Sequence, residues 1–395
     1  MNFLPLLGVL CGKKGNMKIL LVGEYSRLHN SLKEGLQALG HEVTLVSTGD
    51  EFKNYPSDML LKRKYDSGIS KKVKVGLFKI FGKDISSISL KRQFFQQNEK
   101  FKNFDVVQLI NESPLGIQPK HEKEIISFLS HNNAKLFLHS CGTDYRSVKY
   151  AFEKKFRYSI FTPFFEEKIS EKEYFPALKY LMPEYKELHD FVFEKVDGVI
   201  ASDLDYHIPL LGNKKYLGLI ANPINTEKLN FNPFASEEKV IIFHGINRAN
   251  YFKKGNDYFE TALKKLQQQY SSKMEVITVE NVPYSEYIEK YNSAHILLDQ
   301  VFAYDQGYNA LEAMAKGKVV FTGAEKEFLE HYNLKEDEVC INALPDVDYL
   351  VQKMEDLILN PKKLQTISKN ARAFIEREHH YISIAKKYLE VWNSN

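Results

Sequence analysis

Short apolar runs of buried-strand length recur along this chain, each followed by a segment with helical spacing, and that alternation leaves few folds open. The first run is "KILLVG" (18–23), which ends at Gly23. A continuous apolar run, unlike an alternating one, implies a strand covered on both faces, as in a parallel sheet. The next segment sets Leu28, Leu32, Leu36 and Leu39 on one helical stripe and stops at Gly40, before a second strand, "HEVTLVST". Runs of the same kind follow at 104–111, 134–140 and 196–202. Strands alternating with helices build parallel sheets, which bind ligands beyond the carboxyl ends of their strands.

A second series begins after "YLGLIANPINTEKLNF" (216–231), read as a short strand, an Asn-Pro and a polar passage between domains. It runs through "KVIIFHG", "MEVITVE", "AHILLDQ" and "KVVFTG", separated by helical stretches. The expected organisation is an extension at 1–16, a first α/β unit over 17–215, a second over 216–376, and a final helix within 377–395. On that helix Tyr381, Ile384, Ala385, Tyr388, Leu389 and Trp392 share one face. At 395 residues there is enough chain for two cores.

Charge and cysteine usage narrow the classes. A net charge of +3 is too small to point to nucleic acid, and none is expected as a partner. Cys11, Cys141 and Cys340 lie far apart without metal-ligand spacing, which suits a reducing, cytoplasmic setting. Cys141, in "HSCGTDYR", has no Cys/His constellation in view and reads as a small buried thiol. No apolar run is long enough to span a bilayer. The opening segment has neither a basic start nor a cleavage pattern, so the folded chain is expected from Met17. Residues 62–92 set ten Lys and Arg against Asp66 and Asp84, interleaved with Val73, Val75, Leu77, Phe78, Ile80 and Phe81. That pattern suits a solvated insertion or a peripheral contact with an anionic membrane surface. Residues 152–185 are dense in aromatics.

The residues that suggest chemistry lie mostly in the second half. In "HGINRANYFKKGNDYF", Arg248 follows a strand and Lys254-Gly255 opens a helix; two cations beside a helix N-terminus make a site for a diphosphate. The loop in "NVPYSEYIEKYNSAHILLDQ" suits packing on a base and equally suits a structural turn. In "YDQGYNALEAMAKGKVVFTG" (304–323), Gly307 permits close backbone approach to a ligand. Glu312 then reads either as a partner of the helix dipole or as an acceptor for vicinal ribose hydroxyls. His139 at a strand end is ordinarily a packing or hydrogen-bonding residue. Glu378-His379-His380 lacks helical metal spacing, and no metal is expected.

"GYNALEAMAKGKVV" resembles the Glu-Ala-Met-Ala-x-Gly-x-Pro-Val signature of family 4 glycosyltransferases of the GT-B fold. The opening "MKILLVGEYSRLHNSLKEGLQALGHEVTLVS" is similar to their first strand, loop and Gly-His-Glu-Val strand. "VDGVIAS" with "ANPINTEKLNF" is similar to their passage between domains, and "GINRANYFKKG" to their Lys-Gly stretch. The resemblance implies two Rossmann-like domains facing across a cleft, with the last helix returning to the first domain. It implies transfer of a sugar, with retention, from a nucleotide-sugar donor to a hydroxyl of a glycan or lipid-linked acceptor, in cell-surface polysaccharide or glycoconjugate synthesis and with no cofactor.

Residue by residue, the resemblance implies that Arg248 and Lys254 neutralise the leaving diphosphate and that Glu312 binds the ribose. The Gly307-Tyr308-Asn309 loop would hold the sugar and pyrophosphate, His139 would approach the donor sugar, and Gly23 would lie beneath the phosphate and acceptor. Two departures stand out. Where the family often has an acid eight residues before the Glu-Ala pair, this chain has Tyr304 with Asp305 beside it, which makes these two the candidates for sugar contact. Lys318 replaces the signature proline. An epimerase or hydrolase of the same fold, and a catalytically degenerate glycan-binding scaffold, are the rival expectations.

Overall fold

The first series of apolar runs forms one parallel sheet. Its strands are β1 (Lys18–Val22), β2 (Glu42–Ser47), β3 (Met59–Leu60), β4 (Val106–Leu109), β5 (Leu136–Ser140), β6 (Gly198–Ala201) and β7 (Tyr216–Leu219), in the spatial order β3-β2-β1-β4-β5-β6-β7. The second series forms another: β8 (Val240–Ile246), β9 (Met274–Glu280), β10 (Ile296–Leu298), β11 (Val319–Thr322) and β12 (Ile341–Asn342), in the order β12-β11-β10-β8-β9. The computed structural model describes residues 15–49, 55–234, 239–280, 282 and 284–395; most of the expected extension, Cys11 included, lies outside them.

The continuous runs are buried as their composition requires. Ile19 through Val22 and Val319 through Phe321 have no exposed surface, being covered by helices on both faces. The passage between domains needs one correction: β7 pairs in parallel with β6, so the first unit extends through Leu219. This edge strand is only partly buried, and its sequence carries little of the apolar signal that marks central strands.

The chain crosses between the domains twice, and the crossings run side by side. Ile224 donates its backbone N–H to His379 and accepts one from Tyr381, and His379 Nδ1 lies 2.9 Å from the Asn222 carbonyl. The histidine of the Glu-His-His stretch therefore fixes the linker. Beyond it the helix Tyr381–Ser394 packs on the helix Leu28–Ala38 of the first domain. Its anchor is Trp392, which has no exposed surface and donates Nε1–H to Gln108 at 3.0 Å. Truncating such a side chain typically costs about 3–5 kcal/mol.

The aromatic segment is an interdomain clasp. Tyr304 of the second domain packs on Phe156 and Tyr158, and Arg157 pairs with Glu325 and Glu327. Residues 62–92 behave differently. The helix Gly68–Phe81 buries no side chain, and Ile69, Val73, Leu77 and Ile80 fall on one stripe with Lys71, Lys72, Lys74 and Lys79 around it. Ile69 and Ile80 are 80% and 74% exposed.

Candidate functional site

Both sheets present the carboxyl ends of their strands to the space between the domains, and the loops there line a cavity of about 550 Å³. The first domain contributes Ser26 and Arg27, from the loop after β1. The second contributes Asn247, Asn250 and Lys254 after β8, Val279 and Val282 at the end of β9, Asp299 after β10, and Asn309 and Glu312 from the helix Tyr308–Ala315. Its lining divides into apolar and aromatic residues, Val279, Val282, Ile288, Tyr287 and Tyr291 among them, and the polar and charged residues named above. Such a division fits a ligand with a flat apolar part and an anionic part.

Lys254 reaches this cavity because Gly255 turns the chain sharply, at φ +70°, into the helix Asn256–Tyr270. Its Nζ lies 3.0 Å from Asp299, whose side chain is 2% exposed. Asp299 also accepts from Asn309 Nδ2 at 3.3 Å, so the cation, the acid and the amide form one rigid group. Glu312 is half-buried on the cavity wall, and its charge is felt by Arg27 and Lys316. The first turn of its helix also presents backbone N–H groups that have no partner within the helix.

Several expected residues are placed elsewhere. Arg248 lines no described cavity: its side chain is half exposed and makes a two-point ion pair with Glu280, at 2.6 and 2.5 Å. Arg248 opens a three-residue turn, Arg248–Asn250, capped by the Asn247 side chain, and so takes a different direction from Lys254. His139 lies within β5, which extends to Ser140, so strand alternation points it into the core instead of the cleft. It has no exposed surface and lies against Tyr388 and His29, and burial lowers its pKa to about 3, leaving a neutral ring. Gly23 lines neither interdomain cavity. Its φ is +89°, and a Cβ there would sit 2.2 Å from Ile110 and 2.6 Å from the Pro114 carbonyl, so local packing requires the glycine.

Tyr308 and Tyr304 hold the domains together. The Tyr308 hydroxyl meets Ser31 Oγ at 2.5 Å and donates to the Pro223 carbonyl at 2.8 Å. The Tyr304 hydroxyl accepts the Arg157 backbone N–H at 2.8 Å. Lys318 is buried, and its ammonium donates to the Asn292 and Ala294 carbonyls, capping the end of the helix Tyr284–Ser293. Burial lowers its pKa to about 7.

Asp305 and Gly307 face a second, smaller interdomain cavity of about 240 Å³, shared with Thr143, Ser147, Asp203 and Asp205 of the first domain. A Cβ on Gly307 would approach only Gln300, at 3.9 Å, so nothing in the protein itself demands glycine there. Asp305 accepts the Leu204 N–H at 3.0 Å while Asp205 accepts the Tyr304 N–H at 3.1 Å, a reciprocal link across the domains. Asp203, Asp205 and Asp305 each bring an oxygen within 4.8 Å of the others; burial raises all three above the usual carboxylate range, helped by the charge of Asp144 at Asp203, of Asp203 at Asp205, and of Asp203 and Asp205 at Asp305.

Sequence reasoning missed Arg27, Asp299, Asn247 and Asn250. Asp299 carried a signal, an acid directly after the apolar run "ILL". Arg27 carried none: Ser26 and Arg27 adopt left-handed backbone, at φ 51° and 76°, which only the fold reveals.

Residues 249–390 match the family model described as glycosyl transferase-like. No curated protein matches the chain. Among solved structures it is similar to the sucrose-phosphate synthase of Thermosynechococcus elongatus, at TM-score 0.61 and 16% identity over 96% of this chain and 99% of that one. It is also similar to Anabaena HepE, solved in complex with UDP-glucose, at TM-score 0.56 and 14% identity over 96% and 100%. A third is a putative UDP-N-acetylglucosamine 2-epimerase of Listeria monocytogenes, at TM-score 0.51 and 12% identity over 95% of each chain. The chain has the GT-B fold, with a glycosyl transferase-like second half.

Proposed function

We propose that this protein transfers a sugar from a nucleotide-sugar donor to a hydroxyl of a glycan or lipid-linked acceptor. The observation that carries the reading is the larger cavity. Its aromatic and apolar residues suit a nucleobase, Glu312 suits the ribose hydroxyls, and Lys254 with the first-turn amides of the helix Tyr308–Ala315 suits the diphosphate. In the transfer, the bond from sugar C1 to the diphosphate oxygen breaks and a bond from C1 to the acceptor oxygen forms. The acceptor proton leaves with the diphosphate. Lys254 and the helix amides stabilise the negative charge as it develops on the leaving group. An acceptor held on the diphosphate side of the sugar would give retention. Asp305 and Gly307, beside the diphosphate group, offer the smaller cavity to the transferred sugar. No metal or cofactor enters this reading.

The setting we propose is the cytoplasmic face of a membrane, in cell-surface polysaccharide or glycoconjugate synthesis. The exposed apolar stripe of the helix Gly68–Phe81, ringed by lysines, supports contact with an anionic bilayer that supplies the acceptor. No helix among the described residues is long and apolar enough to cross a membrane. The test is a binding panel of nucleotide-sugars, followed by product analysis with and without acceptor. Sugar transferred only in the presence of acceptor supports the proposal. A nucleotide-sugar converted or hydrolysed without acceptor would favour an epimerase or hydrolase, and binding without any product a scaffold.

A further inference from the structure

Three of the four cations near the larger cavity are paired with acids, and they differ in how far each acid depends on its cation. Lys254 is paired with Asp299, and Arg248, outside the cavity, is paired at two points with Glu280. A bound diphosphate brings at least two negative charges and needs a cation that can turn to it. Lys316 lies on the cavity wall with Glu312 in its field and its Nζ 3.0 Å from Asn292. Arg27 is placed differently. It projects from the opposite domain into the same cavity, and its Nη2 is 3.3 Å from Glu34. Glu34 does not depend on Arg27: it also accepts from Asn225 at 2.5 Å and pairs with Lys228 at 2.7 Å.

The backbone beneath Arg27 is the second observation. Ser26 and Arg27 both adopt left-handed conformations, unusual for two consecutive residues with side chains, and both line the cavity. The turn is closed by the Leu28 N–H to the Tyr25 carbonyl, and Arg27 then begins the helix Leu28–Ala38. A relaxed turn would aim the guanidinium elsewhere. Strain of this kind persists where the surrounding fold fixes it and commonly marks a ligand contact.

From this geometry we infer that Arg27, on the first domain, is the second cation that grips the donor diphosphate, opposite Lys254 on the second domain. The inference rests on the proposed donor site and assigns it a residue from across the cleft. A planar guanidinium offers a fixed fork of donors that matches two phosphate oxygens, whereas an ammonium acts as a point charge. Because the two cations belong to different domains, a diphosphate held by both bridges the cleft.

The test compares binding of UDP, GDP, ADP, CDP, dTDP and inorganic pyrophosphate to the full chain and its variants, with the parent nucleosides as a control. Arg27→Ala should weaken the preferred diphosphate by about 10- to 100-fold, the scale of a lost charged hydrogen bond, while the nucleoside binds as before. Arg27→Lys should recover part of the loss, and Arg248→Ala should change little. Glu34→Gln separates a direct role from a structural one. It frees Arg27 from its protein partner and should leave diphosphate affinity equal or higher, whereas a merely structural Arg27–Glu34 pair predicts a loss in both variants. Diphosphate affinity unchanged in a folded Arg27→Ala protein, or equal losses for diphosphate and nucleoside, would overturn the inference alone. Wild-type protein that binds none of the diphosphates would overturn the donor-site reading itself, and this inference with it.

Discussion

Lys254→Ala should do more damage than the loss of one contact. The lysine is the counter-ion of Asp299, whose carboxylate is 2% exposed and keeps only neutral partners, Asn309 at 3.3 Å and Thr322 at 3.5 Å, once the ammonium is gone. A diphosphate would then meet an uncovered anion. The lost charged contact is worth about 1.5–3 kcal/mol. Repulsion between unit charges roughly 5–6 Å apart, at an effective dielectric of about 20, adds about 3 kcal/mol. The expected loss of nucleoside diphosphate affinity is therefore about 4–6 kcal/mol, measured by calorimetry or ligand-induced thermal shift on protein whose fold is checked by its melting curve. The second half of the prediction has the opposite sign. Adding Asp299→Asn to Lys254→Ala removes the repulsion and should restore about 2–3 kcal/mol, although Asp299→Asn alone in the wild type should not help. A double variant that binds no better than Lys254→Ala would refute the coupled group.

Three further outcomes follow from the same geometry. Glu312→Gln should cost about 1–3 kcal/mol of donor affinity, equally for every sugar carried on the preferred nucleotide, because the ribose does not change; a sugar-dependent loss across a donor panel would count against it. Tyr304→Phe should lower stability by about 1 kcal/mol in thermal or denaturant unfolding, since it leaves the Arg157 N–H without its acceptor, and should not alter the choice of sugar, whereas Asp305→Asn should alter that choice. Asp203, Asp205 and Asp305 have raised folded-state pKa values, so their stabilising contribution is complete below the ordinary carboxylate range near pH 4 and is lost as pH rises through the raised range. Melting temperature should therefore fall on going from mildly acidic to alkaline pH, and Asp203→Asn should flatten that fall relative to wild type.

Much of the frame was legible in the sequence because it follows from local patterns. Each of the long apolar runs is a strand, since a run as short as "KILLV", bounded by turn residues, satisfies its backbone and hides its side chains best inside a two-sided sheet. The two edge strands Met59–Leu60 and Ile341–Asn342 escaped, because two residues carry no period. The last helix was readable from the face that ends in Trp392, which needs a hydrophobic partner, while its return to the first domain was implied by the family resemblance.

The site divides differently. Lys254, Asn309 and Glu312 line the larger cavity and could be singled out in sequence because each sits at a fixed offset from a strand end or a helix start, where spacing determines position. Arg248 and His139 were misplaced because direction, unlike position, depends on neighbours distant in sequence. Glu280, thirty-two residues on, holds the arginine outward, and the returning helix covers the face of β5 that carries the histidine. Tyr304 and Tyr308 looked like ligand contacts within a glycine loop, yet their hydroxyls meet Arg157, Ser31 and Pro223 across the domain boundary. Arg27 is the reverse case, an unremarkable surface cation in sequence that enters the cleft only when two domains face each other and a left-handed turn aims it. The sequence by itself determined the two sheets, their order along the chain and the strand ends at which chemistry gathers, because these rest on periodicity within a few residues. Only the tertiary structure decided which side chains meet in the cleft, because that depends on contacts between residues 85 to 277 positions apart.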